Sequence, residues 1–481
     1  MFVLGLVLWF TIPWIVGLLT VSGERWAGPP PDAVMRDLTS IRRRLDTGEA
    51  QKMGIFPEGV LFSHSFYGFA LINVAVQRPD DAAFRTHVLS ELERLIPIAE
   101  RLADDPPFHV CRGLVPKGGV IAAGHANLLR AGYALLGGQR EDILQAYHAQ
   151  SRVLSEAFRK STVGSIETFP GMIWPVDNCC ALESLRLHDG RYRTDYSAAC
   201  RAWEVWMGDH LDTVTGMMVA QIDRDGRVLD RPRGCALSWS LAFMPGFAPD
   251  LARQQYGRYR DQWFIHTAGT TGIREWPPGQ GARPDIDSGP VVGGIGAAAS
   301  GLGIAAAKAN GDTRDLTGLL RGMEFLGAPK RTFRGEKEYF LGAVLLTDVL
   351  AVWGRTVCVW DAPGEYAAAQ DWPDPPLEGY WLVVSAACLG SALVMAVLGW
   401  SLCRAVSGVR RNPSRWRAVH VLVLCAECAV VIAWLAVPAV TLLYALILVS
   451  ALEILDNRCA FRQWRRSRRE ADAVAAQSSA R

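Results

Sequence analysis

The sequence predicts an all-α fold: an α/α toroid of six helical hairpins, with an N-terminal transmembrane anchor and a C-terminal membrane segment of about three helices. The first observation behind it is a rhythm of loops. Twelve helical segments fill about residues 30–355, and the gaps between them alternate long and short. The long gaps fall near 47–59, 105–117, 159–174, 212–234, 266–286 and 327–336; the short ones fall near 79, 138, 190, 247 and 312. Alternate connections in an array of helical hairpins emerge at the same end. The long loops therefore share one face, each leading into an even-numbered helix. The second observation is composition. Several even-numbered helices are apolar on most faces and the odd ones tend to be amphipathic, as an inner and an outer ring require. Third, no motif repeats along the chain, as a plain solenoid would show, and this favours a closed ring.

The elements follow in order. Residues 1–22 begin with MFVLGLVLWFTIPWIVGLLT, which carries no charge and is long enough to span a bilayer. A basic n-region and an A-x-A cleavage site are missing, so it reads as an uncleaved anchor. Helix one, about 31–46, places Val34, Leu38, Ile41 and Leu45 at helical spacing. Helix two, about 60–78, is apolar throughout, and helix three, about 80–104, returns to a one-faced pattern. Helix four, about 118–137, and helix ten, about 287–310, are rich in small residues. Glycines in helix ten would be a penalty on an exposed helix and let backbones approach inside a ring. Residues 356–379 are Pro- and Asp-rich and read as a linker.

Three further apolar crossings are expected: residues 380–403, and a hairpin over 419–456 turning near Pro438. The loop 404–418 and the tail 457–481 are rich in arginine, which puts both on the cytoplasmic side. The ring, 30–355, then lies outside the cytoplasm, on an inner or plasma membrane. A net charge of +2 gives no argument for nucleic acid. Six cysteines lie in the large domain, and an oxidising compartment would permit disulfides among them. No zinc spacing, phosphate loop or dinucleotide fingerprint occurs, so no metal and no cofactor is expected. The expected partners are the membrane and a glycan or small-molecule substrate; oligomeric state is not legible.

Chemistry is expected where long loops enter inner helices. The run GIREWPPGQGARPDIDSGP, residues 272–290, holds Arg274, Glu275, Trp276, Asp285 and Asp287. Asp287 or Ser288 could instead cap helix ten, with Pro290 in its first turn. A carboxylate beside an aromatic suits sugar binding and acid/base work. The run 167–189 places Trp174 and Asp177 at a loop–helix junction, and Asp177 could be a plain cap. Cys179 follows in the first turn, where a thiol pKa can be lowered; a buried structural cysteine is the alternative. Glu58 stands at the equivalent junction in IFPEGVLFSHSFYG, with His64 and Tyr67 about two turns in. His125 lies on the next inner helix, Arg233 closes the fourth long loop and Trp239 follows it. A lone histidine on an apolar helix is usually a core residue. Glu58, Asp177 and Asp287, with Glu275 on a neighbouring loop, should converge on one mouth, where mutual repulsion raises pKa values.

The domain resembles the α/α toroid enzymes, which include glycoside hydrolases, polysaccharide lyases and terpene-acting enzymes. More narrowly it resembles the linalool dehydratase/isomerase-like proteins. That resemblance implies a chemistry of Asp, His, Tyr and Cys, with Glu58, Tyr67, His125 and Cys179 as the matching types; Glu58 stands where the family uses Asp. Three functions follow as expectations: a carboxylate hydrolase or lyase on a cell-envelope glycan, a lyase on an isoprenoid alcohol, or a non-catalytic module binding a glycan or a partner. A long, aromatic-lined groove favours the first. A greasy closed cavity around Cys179 favours the second, and a filled ring centre the third.

Overall fold

The computed structural model describes residues 21–27, 30–52, 56–267, 269–281, 283–327, 329–332 and 334–361. The expected membrane spans, the basic loop and tail, and the linker beyond Asp361 lie outside them. Contacts divide the chain into two units. The smaller holds, among the described residues, the hairpin of Lys330–Arg331 with Lys337–Glu338, where Lys330 pairs with Glu338 at 2.9 Å. The larger, Gly17–Ala328 with Gly342–Val383, holds the ring.

The ring contains twelve helices of twelve residues or more among the described residues. They are α1 (Ala33–Asp46), α2 (Gly59–Gln77), α3 (Ala82–Leu102), α4 (Gly119–Leu135), α5 (Glu141–Lys160) and α6 (Cys179–Tyr192). The rest are α7 (Ala198–Asp209), α8 (Gly234–Phe247), α9 (Pro249–Trp263), α10 (Ala297–Ala309), α11 (Thr313–Leu326) and α12 (Leu345–Thr356). Each even-numbered helix packs on the next, α2 on α4, α4 on α6, and so on to α12, which packs back on α2 and closes the ring. The odd helices pack outside: α3 against α2 and α4, α5 against α4 and α6, α1 against α12 and α2. The fold is an α/α toroid.

Burial follows that layout. In α2 only the ends of the helix escape burial, whereas α1 buries one stripe through Val34, Leu38, Ile41 and Leu45. Helix α2 is long and apolar enough to cross a bilayer, yet nearly all of it is buried within the ring. Its apolar character comes from having protein on every side.

The ring centre is filled. Phe62, Phe66 and Phe69, at i, i+4 and i+7 of α2, face inward. Phe66 meets Trp353 at 4.6 Å and Trp239 at 5.0 Å, and Phe62 meets Trp239 at 4.9 Å. Below this plug, at the short-loop end, is a cavity of about 40 Å³ bordered by Asn73, Glu183, Phe243 and Trp360. That is room for a water or two. The Trp360 indole donates to Asn73 Oδ1 at 2.6 Å across this end. Described residues from both flanks of the ring lie here. Gly23 N donates to Thr317 Oγ1 near the start of α11, and Asp361 pairs with Arg186.

Two expectations are corrected. Helix α10 starts at Ala297, about ten residues later than its pattern suggests. Residues Val291–Val292 and Ile295–Gly296 instead form a hairpin across Gly293-Gly294, both at positive φ. A Gly-Gly pair between apolar residues suits a two-residue turn needing positive φ. The cysteines Cys111, Cys179, Cys180, Cys200, Cys235 and Cys358 are all free thiols.

Candidate functional site

The long loops are stitched together at the mouth by close backbone approaches. Gly119 opens α4 at φ +73°, and a Cβ there would lie 2.1 Å from Thr168 O. Val120 N then donates to Glu167 O at 2.9 Å. Gly234 does the same for α8: its N donates to Glu275 O at 2.7 Å, and a Cβ would lie 1.9 Å from Arg274 O. These contacts need glycine because any side chain would push a loop off its helix. They carry Asp177 and Glu275 to the inner helix starts.

None of the three junction carboxylates caps a helix. Glu58 occupies the N-cap position of α2 without a side-chain bond to it. Asp177 lies in a 3-10 turn, Pro175–Asn178, and its Oδ2 accepts from Thr168 Oγ1 at 2.8 Å. Asn178 next to it bonds Ile166 N, Ile166 O and Trp174 O, which locks the turn. Asp287 is ten residues from the start of α10, whose N-cap is Gly296; Ser288 and Pro290 meet its first turn only through their backbone carbonyls, which accept from Ala298 N and Ala297 N. Capping, the plain explanation for Asp177 and Asp287, is overturned.

The carboxylates interact instead. Burial raises Asp177 to about 7, opposed by the Thr168 hydroxyl and reinforced by the charges of Asp287 and Glu58. Glu58 is raised by burial and by Asp287. Desolvation by the surrounding loops raises Asp287; Arg233 opposes it, and Asp285 and Asp230 add to it. Burial raises Glu275 to about 7, although Cys235 and Arg233 bond it.

Arg233 is the hub. It reaches Asp285 at 2.6 Å, Glu275 at 3.0 Å, Asp287 at 3.5 Å and Asp230 at 3.8 Å. Its guanidinium lies 4.7 Å from the Trp276 ring centre, and Trp276 Nε1 donates to Arg283 O. Asp285 accepts from the amides of Asp287 and Ser288, a local turn that aims Asp287. Trp174 lies on the neighbouring loop, edge-on to Phe169. Arg274 is half-buried beside the Gly293-Gly294 turn.

Other expected residues are placed elsewhere. His125 is fully buried among Phe62, Phe66, Phe69 and Trp239. Ser65 Oγ donates to Leu61 O, so it accepts from His125 Nδ1 at 2.7 Å and leaves Nε2 as a lone pair without a partner. Burial lowers His125 to about 3. Trp239 belongs to the same plug. His64 and Tyr67 are turned toward the outer ring: His64 bonds Val60 O, and Tyr67 feels Glu91, Arg42 and Arg94. Cys179 is fully buried, and burial pushes its thiol far up, outweighing the helix N-terminus. Thr168, Asp230 and Cys235 are not among the candidate residues, whereas Asp285 belongs to the candidate run 272–290. Asp285 has a signal, the D-x-D-S turn; Cys235 depends on pairing with Glu275 forty positions away, and Thr168 and Asp230 on how their own loops fold.

Fold and mouth together define a helical toroid with an arginine-centred acidic mouth. No family model matches the chain. Among solved structures the chain is similar to an unsaturated glucuronyl hydrolase specific for heparin, at 12% identity over 61% of this chain and 84% of that one, with a TM-score of 0.41. It is also similar to an inactive α-1,6-mannanase variant of a Salegentibacter species in complex with α-1,6-mannotriose, at 12% identity over 61% and 88%, with a TM-score of 0.39. Neither similarity carries a residue role or an activity to this chain.

Proposed function

We propose that this protein is a membrane-anchored, extracytoplasmic enzyme, a hydrolase or lyase that acts on a cell-envelope glycan by carboxylate acid/base chemistry. One observation carries the reading: Glu58, Asp177 and Asp287 meet at the long-loop mouth without capping any helix. Asp177, raised to about 7, keeps a proton near neutral pH and serves as general acid to the leaving oxygen. Asp287, with Arg233 beside it, serves as base. Trp276 and Trp174 offer apolar faces to sugar rings. The anchor and the outside location rest on the apolar and arginine-rich segments of the sequence. The mouth lies at the ring end opposite Gly23 and Asp361. The isoprenoid alternative requires a cavity around His125 and Cys179, and both are packed among side chains.

The test is turnover of envelope glycans, read as new chain ends, by the wild-type chain and by Asp177→Asn and Asp287→Asn. Losses of about 10²–10⁴-fold in both variants are expected. The filled aromatic centre favours a second reading, a module that binds glycan without turnover. Under that reading the wild type binds and neither variant changes any product.

A further inference from the structure

With Asp177 as acid and Asp287 as base, something in the chain must make two aspartates at one mouth behave differently. Arg233 is 7% exposed and touches four carboxylates, Asp230 on its own loop and Glu275, Asp285 and Asp287 on the next long loop. No contact joins it to Asp177 among the described residues. We propose that Arg233 is a positioning residue for this site: it ties Asp287 and its loop to the base of α8 and gives that carboxylate a counter-charge that Asp177 lacks. The inference rests on the acid/base reading of the mouth.

The geometry has two parts. Glu275, fully buried, accepts from Arg233 Nε at 3.1 Å and from Cys235 Sγ at 3.1 Å. This anchors the guanidinium at the start of α8. The outer nitrogens then face the rim, one toward Asp285 and one toward Asp287. Trp276 covers the guanidinium plane. A planar fork can hold several carboxylates at fixed angles, and a lysine ammonium supplies the charge without the fork. The charged or titratable groups facing Asp287 are Arg233, Asp285, Asp230, Asp177 and Glu58; those facing Arg233 also include Glu275 and Cys235. Only Arg233 is a cation in that set. Asp285 stays below its usual range, against its own burial, through the Ser288 amide and Arg233.

The experiment compares the full-length chain in detergent with its Arg233→Lys and Arg233→Met variants. Infrared difference titration of the carboxyl stretch is used, with Asp287→Asn to identify the Asp287 band. Folding is checked by circular dichroism and melting. The titration midpoint of Asp287 should rise by about one to three pH units in Arg233→Met and stay near wild type in Arg233→Lys. Turnover should fall in both, through kcat more than KM, because only the arginine holds the loop. The acid limb of the pH–rate profile should move upward in Arg233→Met alone. A purely structural role would lower melting temperature and leave the midpoint in place. An identical midpoint in wild type and a folded Arg233→Met overturns the proposal, and if Arg233→Met does not fold, a full shift in Arg233→Lys overturns it. If instead Asp177→Asn and Asp287→Asn keep full turnover, the acid/base reading fails, whatever the midpoint does.

Discussion

The two ends of the ring are made by the same six inner helices and are built in opposite ways. At the short-loop end, connections of a few residues leave no spare chain, and Trp360, Asn73 and the Arg186–Glu183–Asp361 cluster close it. At the long-loop end, every inner helix is preceded by a dozen residues or more, and those loops bring carboxylates together. The mouth gathers Asp230, Glu275, Asp285 and Asp287 on one arginine, with Glu58 and Asp177 interacting with Asp287 beside them. Such an excess costs stability, and loops tolerate it because the aromatic plug beneath them holds the ring. The difference teaches that stability and chemistry are separated along the ring axis.

That separation can be broken at several depths. The largest effect should come from the plug. Phe66→Ala removes a ring in contact with Trp239, Trp353 and Phe69 and should cost about 3–5 kcal/mol in chemical denaturation. Turnover per folded molecule should change little, since Phe66 is not at the mouth. Next comes Asp177→Asn. Asp177 is raised in the fold to about 7 from 3.8, so the folded state holds the extra proton and wild-type stability falls as pH rises through that window. The amide removes the penalty. The variant should gain on the order of 4 kcal/mol over wild type at about pH 8, and nothing below about pH 4, read from melts across pH. His125 has the opposite sign. It is lowered to about 3 from 6.5, so its contribution is present above 6.5 and is lost as pH falls toward 3. His125→Asn should flatten the acid side of the stability profile, by on the order of 2–3 kcal/mol at about pH 4.5. The smallest effect is Asp361→Asn. Its side chain is 38% exposed, and loss of the pair with Arg186 should cost less than about 1 kcal/mol.

Much of this architecture was legible because loop length is a topological quantity. The alternation of long and short gaps predicted the inner and outer helices, and the ring closes through α12 and α2 as a toroid must. The start of α10 was not legible as a helix boundary. In DSGPVVGGIG, small apolar residues suit both a packed helix and a hairpin, and the Gly293-Gly294 pair was the signal for the hairpin. On α2 the sequence left the inward face ambiguous, because an all-apolar helix has no polar side to mark its outside. His64 and Tyr67 therefore looked available, although they share the face that meets α3. At the mouth, the junction positions of Glu58 and Asp177 followed from the loop rhythm, whereas Asp287 lies ten residues ahead of α10. The pairing of Arg233 with Glu275, Asp285 and Asp287 did not follow from it, because it joins residues more than forty positions apart through folds of the loops. Cys179 shows the limit of local rules: a helix N-terminus favours a thiolate, and complete burial outweighs it.

The most direct test of the central claim is a turnover assay at the mouth. The full-length protein would be incubated with cell-envelope glycans, and new chain ends counted, for wild type, Asp177→Asn, Asp287→Asn and Phe66→Ala. The account predicts product from wild type, roughly 10²–10⁴-fold less from either aspartate variant, and near-normal product per folded molecule from Phe66→Ala. Product formed equally well by both aspartate variants, or lost only with Phe66→Ala, would contradict it.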